Sequence, residues 1–79
     1  MPLTLKILTP QEILFEGEAE YLIVPSPQGT LGIFAGHTPL YAEVTPGVIE
    51  VTGSSPKTFE VSAGIIKVRR DVVTLLIGI

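Results

Sequence analysis

His37 and four serines, Ser26, Ser54, Ser55 and Ser62, are the residues of this chain that could support nucleophilic hydrolysis. That chemistry needs a hydroxyl within reach of the imidazole and an acid to orient the ring, and a nucleophile elbow is its usual trace in sequence. None of the serines lies in such an elbow, and His37 has no candidate acid partner in the sequence. A histidine that completes a turn by bonding a nearby carbonyl is the simpler account. Lys57 and Lys67 raise a second chemistry, that of a lipoyl or biotinyl carrier, a β-layered domain of similar size with a modified lysine at a hairpin tip. Lys67 falls in mid-strand and Lys57 lacks the flanking Asp or Met of such carriers. The absence of cysteine removes thiol nucleophiles, thiolate metal sites and disulfides, and a single histidine removes multi-histidine zinc sites. Glu12, Glu16, Glu18 and Glu20 form an acidic run, read most simply as a solvated edge that resists strand-to-strand aggregation. Lys67 and Arg69 alternate outward from a strand and need only surface pairing.

Elements that could hold these residues follow from composition. A chain of 79 residues has room for one core and buries roughly 60% of its unfolded surface, so residues 1–79 read as one domain. Without disulfides its stability rests on apolar packing or on a partner. A net charge of −3, with five cations, leaves no footprint for a phosphate backbone, and nucleic acid is not an expected partner. Residues 21–42 carry no Asp, Glu, Lys or Arg and are long enough to span a bilayer as a helix. Pro25, Pro27 and Pro39, with Gly29, Gly32 and Gly36, would break that helix. The start MPLTLKILTP lacks a basic segment followed by a long apolar run, so the expected compartment is the cytoplasm.

The chain holds 8 Val, 9 Ile and 8 Thr, a bias toward pleated, half-buried surfaces. Leu3, Leu5 and Ile7 alternate with Thr4 and Lys6 in a first strand closed by Thr9-Pro10. Ile13 and Phe15 share a face in a second, ending at Gly17. Residues 19–24 are apolar on both faces, as in a strand sandwiched between layers, and Pro25 stops them. Leu31 and Ile33 mark another strand. Residues 40–44 and 48–51 predict a hairpin across Thr45-Pro46-Gly47. A further hairpin turns at residues 53–56 into residues 58–61. The last pair is residues 65–69 and 72–77, turning at Arg70-Asp71. This spacing predicts an all-β fold, a small antiparallel β-sandwich or flattened barrel of about 8–10 short strands. Circular dichroism is expected to show β structure and almost no helix. Too many strands are apolar on both sides for a fully wetted surface, which implies a docking face.

The run GTLGIFAGHTPL, followed by VTPGVIEV, FEVSAGIIKV and VVTLLI, resembles the N-terminal β-sandwich domain of the ε subunit of rotary F-type ATP synthases. The shared pattern places Gly29, Leu31, Gly32, Ile33, Gly36, His37, Pro39 and Leu40 in one run, then Pro46-Gly47, then Ala63-Gly64. The opening LKILTPQEILFEGEAEYLIVP extends the likeness across essentially the whole chain. Ala63 stands where the family often has a glycine. Family members commonly continue past the position of Ile79 into a two-helix hairpin, so the chain is either a naturally short ε subunit or an excised domain.

The resemblance implies a non-catalytic place on the rotor, between the γ subunit and the membrane-embedded c-ring, with no cofactor and no small-molecule substrate. It implies a peripheral position on the cytoplasmic face of a bacterial cell membrane. By the same likeness Thr9, Pro10, His37, Thr38, Leu40 and Ala42 lie toward γ, and Gln28, Gly29, Thr30 and Leu31 approach the c-ring. The family often has a carboxylate where Thr30 stands. A charged residue at Leu40 or Ala42 is expected to weaken assembly while leaving the domain folded. Regulation in the family is associated with the helical hairpin, and the chain has neither a phosphate-binding glycine loop nor an amphipathic run at helical spacing. These 79 residues are therefore expected neither to bind ATP measurably nor to inhibit hydrolysis.

Overall fold

The computed structural model describes residues 2–36, 39–53 and 56–78. Among the described residues nine strands run in order as β1 (Leu3–Leu8), β2 (Ile13–Ala19), β3 (Tyr21–Ser26), β4 (Gly29–Phe34), β5 (Leu40–Val44), β6 (Gly47–Thr52), β7 (Lys57–Val61), β8 (Ala63–Arg69) and β9 (Val72–Gly78). They form a five-stranded sheet ordered β2-β1-β9-β8-β5 and a four-stranded sheet ordered β4-β3-β6-β7, packed face to face. No helix among the described residues is long and apolar enough to cross a membrane.

Period-two alternation decides what lies between the sheets. From the larger sheet Leu3, Leu5 and Ile7, then Ile66 and Val68, then Val73, Leu75 and Ile77 point inward. From the smaller sheet Leu22, Val24, Ile33, Ile49, Val51 and Val61 meet them, and all are buried. At one open side Phe15 of β2 meets Phe59 of β7 edge to face, with ring centroids 6.2 Å apart. Lys57 Nζ lies 5.8 Å from the Phe15 ring centroid and covers that side.

The sandwich is as expected, with one exception to its antiparallel order: β1 and β9 run parallel. The chain ends its first strand and its last in the same sheet and the same direction, which local alternation does not reveal. The hairpin expected across residues 45–47 is instead a corner. β5 pairs with β8 in one sheet, while β6 pairs with β3 and β7 in the other. Thr45 donates its N–H to the Pro25 carbonyl at 3.1 Å, and Pro46, with no N–H, carries the chain out of the first sheet. Residues 19–24 are likewise two strands in different sheets, turning at Glu20, whose N–H bonds Thr52 O at 2.7 Å. Tyr21 and Ile23 face outward from the smaller sheet and are only half-buried, because no layer among the described residues covers that side. Pro25 does not stop β3. It sits opposite Thr30 with its carbonyl turned away from β4, a position where the missing N–H removes no ladder bond. Ile13 and Phe15 do not share a face, since the β1–β2 register shifts after Ile7 and leaves Ile13 exposed.

Corners and turns are tied by short local bonds. Thr9, buried between β1 and β2, donates its N–H to Glu12 O at 2.8 Å and its hydroxyl to the same carbonyl at 3.3 Å. The same hydroxyl accepts the N–H groups of Gln11 at 3.3 Å and Glu12 at 3.1 Å. Valine at this position keeps the shape and orphans those groups. Thr9→Val is expected to destabilise by about 1 kcal/mol, read as a fall in thermal midpoint of roughly 4–8 °C for a domain of this size.

Candidate functional site

No catalytic constellation forms among the described residues. His37, Thr38, Ser54 and Ser55 lie outside them. Ser26 donates its hydroxyl to Gly29 O at 2.6 Å, which closes the β3–β4 turn. No group of His, Cys, Asp and Glu among the described residues gathers where it could hold a metal ion. Lys67 projects from the middle of β8 and Lys57 opens β7 over an aromatic ring, so neither stands at a hairpin tip. Of the acidic run, Glu16 and Glu18 lie on the edge strand β2, where Glu16 pairs with Lys6 across the ladder at 3.3 Å and Glu18 is solvated, while Glu12 and Glu20 flank the strand at its two ends.

What remains is the outer face of the five-stranded sheet. Cross-strand register sets Leu8, Leu76 and Ile65 in one row, ending at Glu43 on the β5 edge. Leu76 is 46% and Ile65 40% exposed, a high value for two large aliphatics in the middle of a sheet. The adjoining row is Lys6, Thr74, Lys67 and Tyr41, the last 71% exposed. Pro10, from the turn that Thr9 knits, and Ala42 close a shallow apolar groove with Tyr41, Ile65 and Leu76. The face is thus an apolar stripe beside the exposed cations of Lys67 and Arg69.

Gly64 lies at the floor of this groove, paired with Val44 on one side and Ile77 on the other. A Cβ there would stand 2.7 Å from the Leu76 carbonyl oxygen and 3.2 Å from Ile77 Cα, so the close approach of β8 and β9 requires glycine. Ala63, where the resemblance leads one to expect glycine, is exposed and adopts no positive φ.

The residues named by resemblance fall in three places. Pro10 and Ala42 line the groove, while Thr9 is buried beneath it and uses its polar atoms locally. Leu40 starts β5 at the opposite end of the sheet, and both Leu40 and Ala42 pack partly against the core. Gln28, Gly29 and Thr30 are exposed at the β3–β4 hairpin, where Gly29 takes φ 115°, open to glycine and strained for other residues. Leu31 packs on the core. This hairpin lies at the same end of the sandwich as Pro10 and the groove.

The groove residues Tyr41, Ile65 and Leu76 were not among those named from sequence. A signal for them existed. A turn at Arg70-Asp71 puts residues 65 and 76 opposite each other, on the parity that excludes the buried Ile66 and Leu75.

One further anchor bears on the segment before His37. Asp71, in the β8–β9 turn, accepts the Gly36 N–H on Oδ1 at 2.7 Å, and its carbonyl accepts the Thr4 N–H at 2.7 Å. Asp71→Ala is expected to lower stability by about 1 kcal/mol, and Asp71→Asn, which keeps an acceptor, by less. Denaturant unfolding of the pair distinguishes the side-chain bond from a general effect of the turn.

Residues 2–78 match the family described as "ATP synthase, Delta/Epsilon chain, beta-sandwich domain". The chain is 42% identical over 73 residues to the ATP synthase epsilon chain of Janthinobacterium sp. (strain Marseille), covering 89% of this chain and 52% of that protein. It is 38% identical over 79 residues to the epsilon chain of Gloeothece citriformis, covering 99% and 57%. The chain therefore spans little more than half the length of these relatives. Among solved structures, a chain of the Euglena gracilis mitochondrial ATP synthase superposes with a TM-score of 0.90 at 20% identity, covering 96% of this chain and 50% of that one. A chain from the Tetrahymena thermophila mitochondrial ATP synthase central stalk and c-ring gives 0.85 at 12% identity, covering 98% and 63%. At those identities the likeness concerns the fold. With the family match running almost end to end and two curated relatives near 40% identity, the chain belongs to the delta/epsilon-chain β-sandwich domain family of ATP synthases.

Proposed function

We propose that this domain is a non-catalytic rotor component that links the γ subunit of an ATP synthase to its c-ring. The observation that carries the reading is the apolar row of Leu76 and Ile65, with Tyr41, Pro10 and Ala42, left open on the five-stranded sheet. Large aliphatics at that exposure in mid-sheet, beside exposed cations, suit a permanent partner with an apolar ridge and carboxylates at its rim. The γ contact is assigned to this face, extended along β5 to Leu40 and, by family resemblance, to His37 and Thr38. A stable interface of this kind buries more than about 1,000 Å² in total.

The c-ring contact is assigned to residues 28–31 at the β3–β4 hairpin. This loop carries no charge, so its contact is expected to be only weakly salt-sensitive, because screening acts on charges and leaves neutral hydrogen bonds and shape in place. A steep salt-dependent loss of coupling that maps to this hairpin by substitution would contradict the assignment. Attachment to the ring would hold the domain peripherally at the cytoplasmic face of a bacterial membrane. The test of the whole reading is affinity purification of the tagged chain from a detergent extract. The γ subunit and the catalytic subunits are expected to copurify, and their absence would overturn it.

A further inference from the structure

The sandwich has four edge strands, and three of them carry devices that discourage pairing with another chain. β2 has Glu16 and Glu18 and a register shift; β7 is five residues long with Lys57 and Glu60; β5 is also short, follows Pro39 and carries Glu43. The fourth, β4, has none of these. Its sequence GTLGIF holds no charge, no proline and no bulge against β3.

Its outward-facing backbone groups can be named. Pro25 has no N–H, and its carbonyl accepts from Thr45, away from β4. Pro25 and Thr30 are therefore a non-hydrogen-bonded pair, and by alternation so are Ile23 with Gly32 and Tyr21 with Phe34. The N–H and C=O groups of Thr30, Gly32 and Phe34 consequently point out from the edge of the sheet. The inward side chains of the same strand, Leu31 and Ile33, belong to the core layer, and Leu31 is only half-buried.

We infer that β4 is a self-pairing edge, and that its occupant is β4 of a second copy of this chain, antiparallel and centred on Gly32. That register is self-complementary. Thr30 of one copy exchanges bonds with Phe34 of the other, and Gly32 with its own equivalent, so every outward-pointing group named above is matched. On the inner face Leu31 comes beside Ile33 of the second copy, which completes its burial and joins the two cores. On the outer face Phe34, 56% exposed and stacked on Tyr21 at 5.3 Å, covers the Thr30 methyl across the junction. No charged residue of either copy lies in the paired strands. Each copy carries a net charge of −3, so added salt relieves repulsion between them and tightens the pair.

The contact is one strand wide and falls below the size of a permanent dimer, which sets the expected dissociation constant at about 0.1–1 mM. Sedimentation equilibrium and methyl and amide NMR of the chain across that range test the inference, with neither γ nor a c-ring present. The expected result is a monomer–dimer equilibrium with an intermolecular Hα–Hα contact between Leu31 and Ile33, the non-hydrogen-bonded pair of this register. Thr30→Lys, at an exposed position, is expected to weaken the dimer about 10-fold or more with an unchanged circular dichroism spectrum. A Thr30→Val variant, which is uncharged, is expected to dimerise like the parent. A chain that stays monomeric to about 1 mM overturns the inference and leaves the edge to another protein's strand or to none. So does a dimer that Thr30→Lys leaves intact, since another face would then hold it.

Discussion

Gly64→Ala is expected to lower the thermal midpoint by roughly 10 °C or more, corresponding to about 2–3 kcal/mol. The added methyl would stand 2.7 Å from the Leu76 carbonyl oxygen, 3.0 Å from Ile77 Cγ2 and 3.2 Å from Ile77 Cα. Two of those atoms are backbone in the central ladder between β8 and β9, so relief requires the strands to separate. The strand-forming advantage of alanine over glycine is at most about 1 kcal/mol and acts in the opposite direction without reversing the sign. Gly64→Val should lose more, a large share of the 5–15 kcal/mol that holds a domain of this kind together. Gly78→Ala is the matched control. Its Cβ would meet Ser62 Oγ at 3.5 Å and Ala63 O at 3.8 Å, ordinary contacts, and its effect should stay within about 1 kcal/mol. Thermal unfolding followed by circular dichroism reads both. Equal midpoints for the two variants would mean that β8 and β9 are not held as closely as described.

The second large effect concerns affinity. Ile65→Asp and Leu76→Asp each place a charge in the apolar row on the outer face, where solvent already reaches the side chain, so the isolated domain should fold as before. Against γ each is expected to weaken binding by at least about 30-fold, the loss of a central apolar anchor being worth 2 kcal/mol or more. Val48→Asp is the contrasting variant. Val48 is also exposed, on the outer face of the other sheet, and its substitution should leave binding within about 3-fold, as for a residue outside the interface. Charged variants at Leu40 and Ala42, the natural choice from sequence, report less cleanly. Both pack partly on the core, and a fall in binding could come from a fall in stability.

Alternation within strands was legible from the residues alone, because burial in a sandwich follows period two. Leu3, Leu5 and Ile7 could be assigned to one face before any partner strand was known. Partners were harder. Thr45-Pro46-Gly47 has the composition of a hairpin turn, yet the same residues make the corner that sends β6 to the other sheet. Local chemistry fixes that the chain bends and does not fix which strand it meets next. The parallel contact of β1 with β9 joins residues some seventy positions apart, beyond the reach of any turn signal. The proposed docking face shows the same division. Pro10 and Ala42 came from resemblance to a family and the pairing of Ile65 with Leu76 was implicit in the Arg70-Asp71 turn, whereas Tyr41 joined them only once β5 was in register with β8.

Methyl-resolved NMR of the isotopically labelled chain titrated with the γ subunit tests the docking face most directly, because it needs no substitution and observes both sheets at once. The Ile65 and Leu76 methyls are predicted to shift or broaden as γ is added. The Ile23 and Val48 methyls, on the outer face of the four-stranded sheet, are predicted to hold their positions. Perturbation confined to Ile23 and Val48, or a spectrum unchanged by saturating γ, would contradict the account.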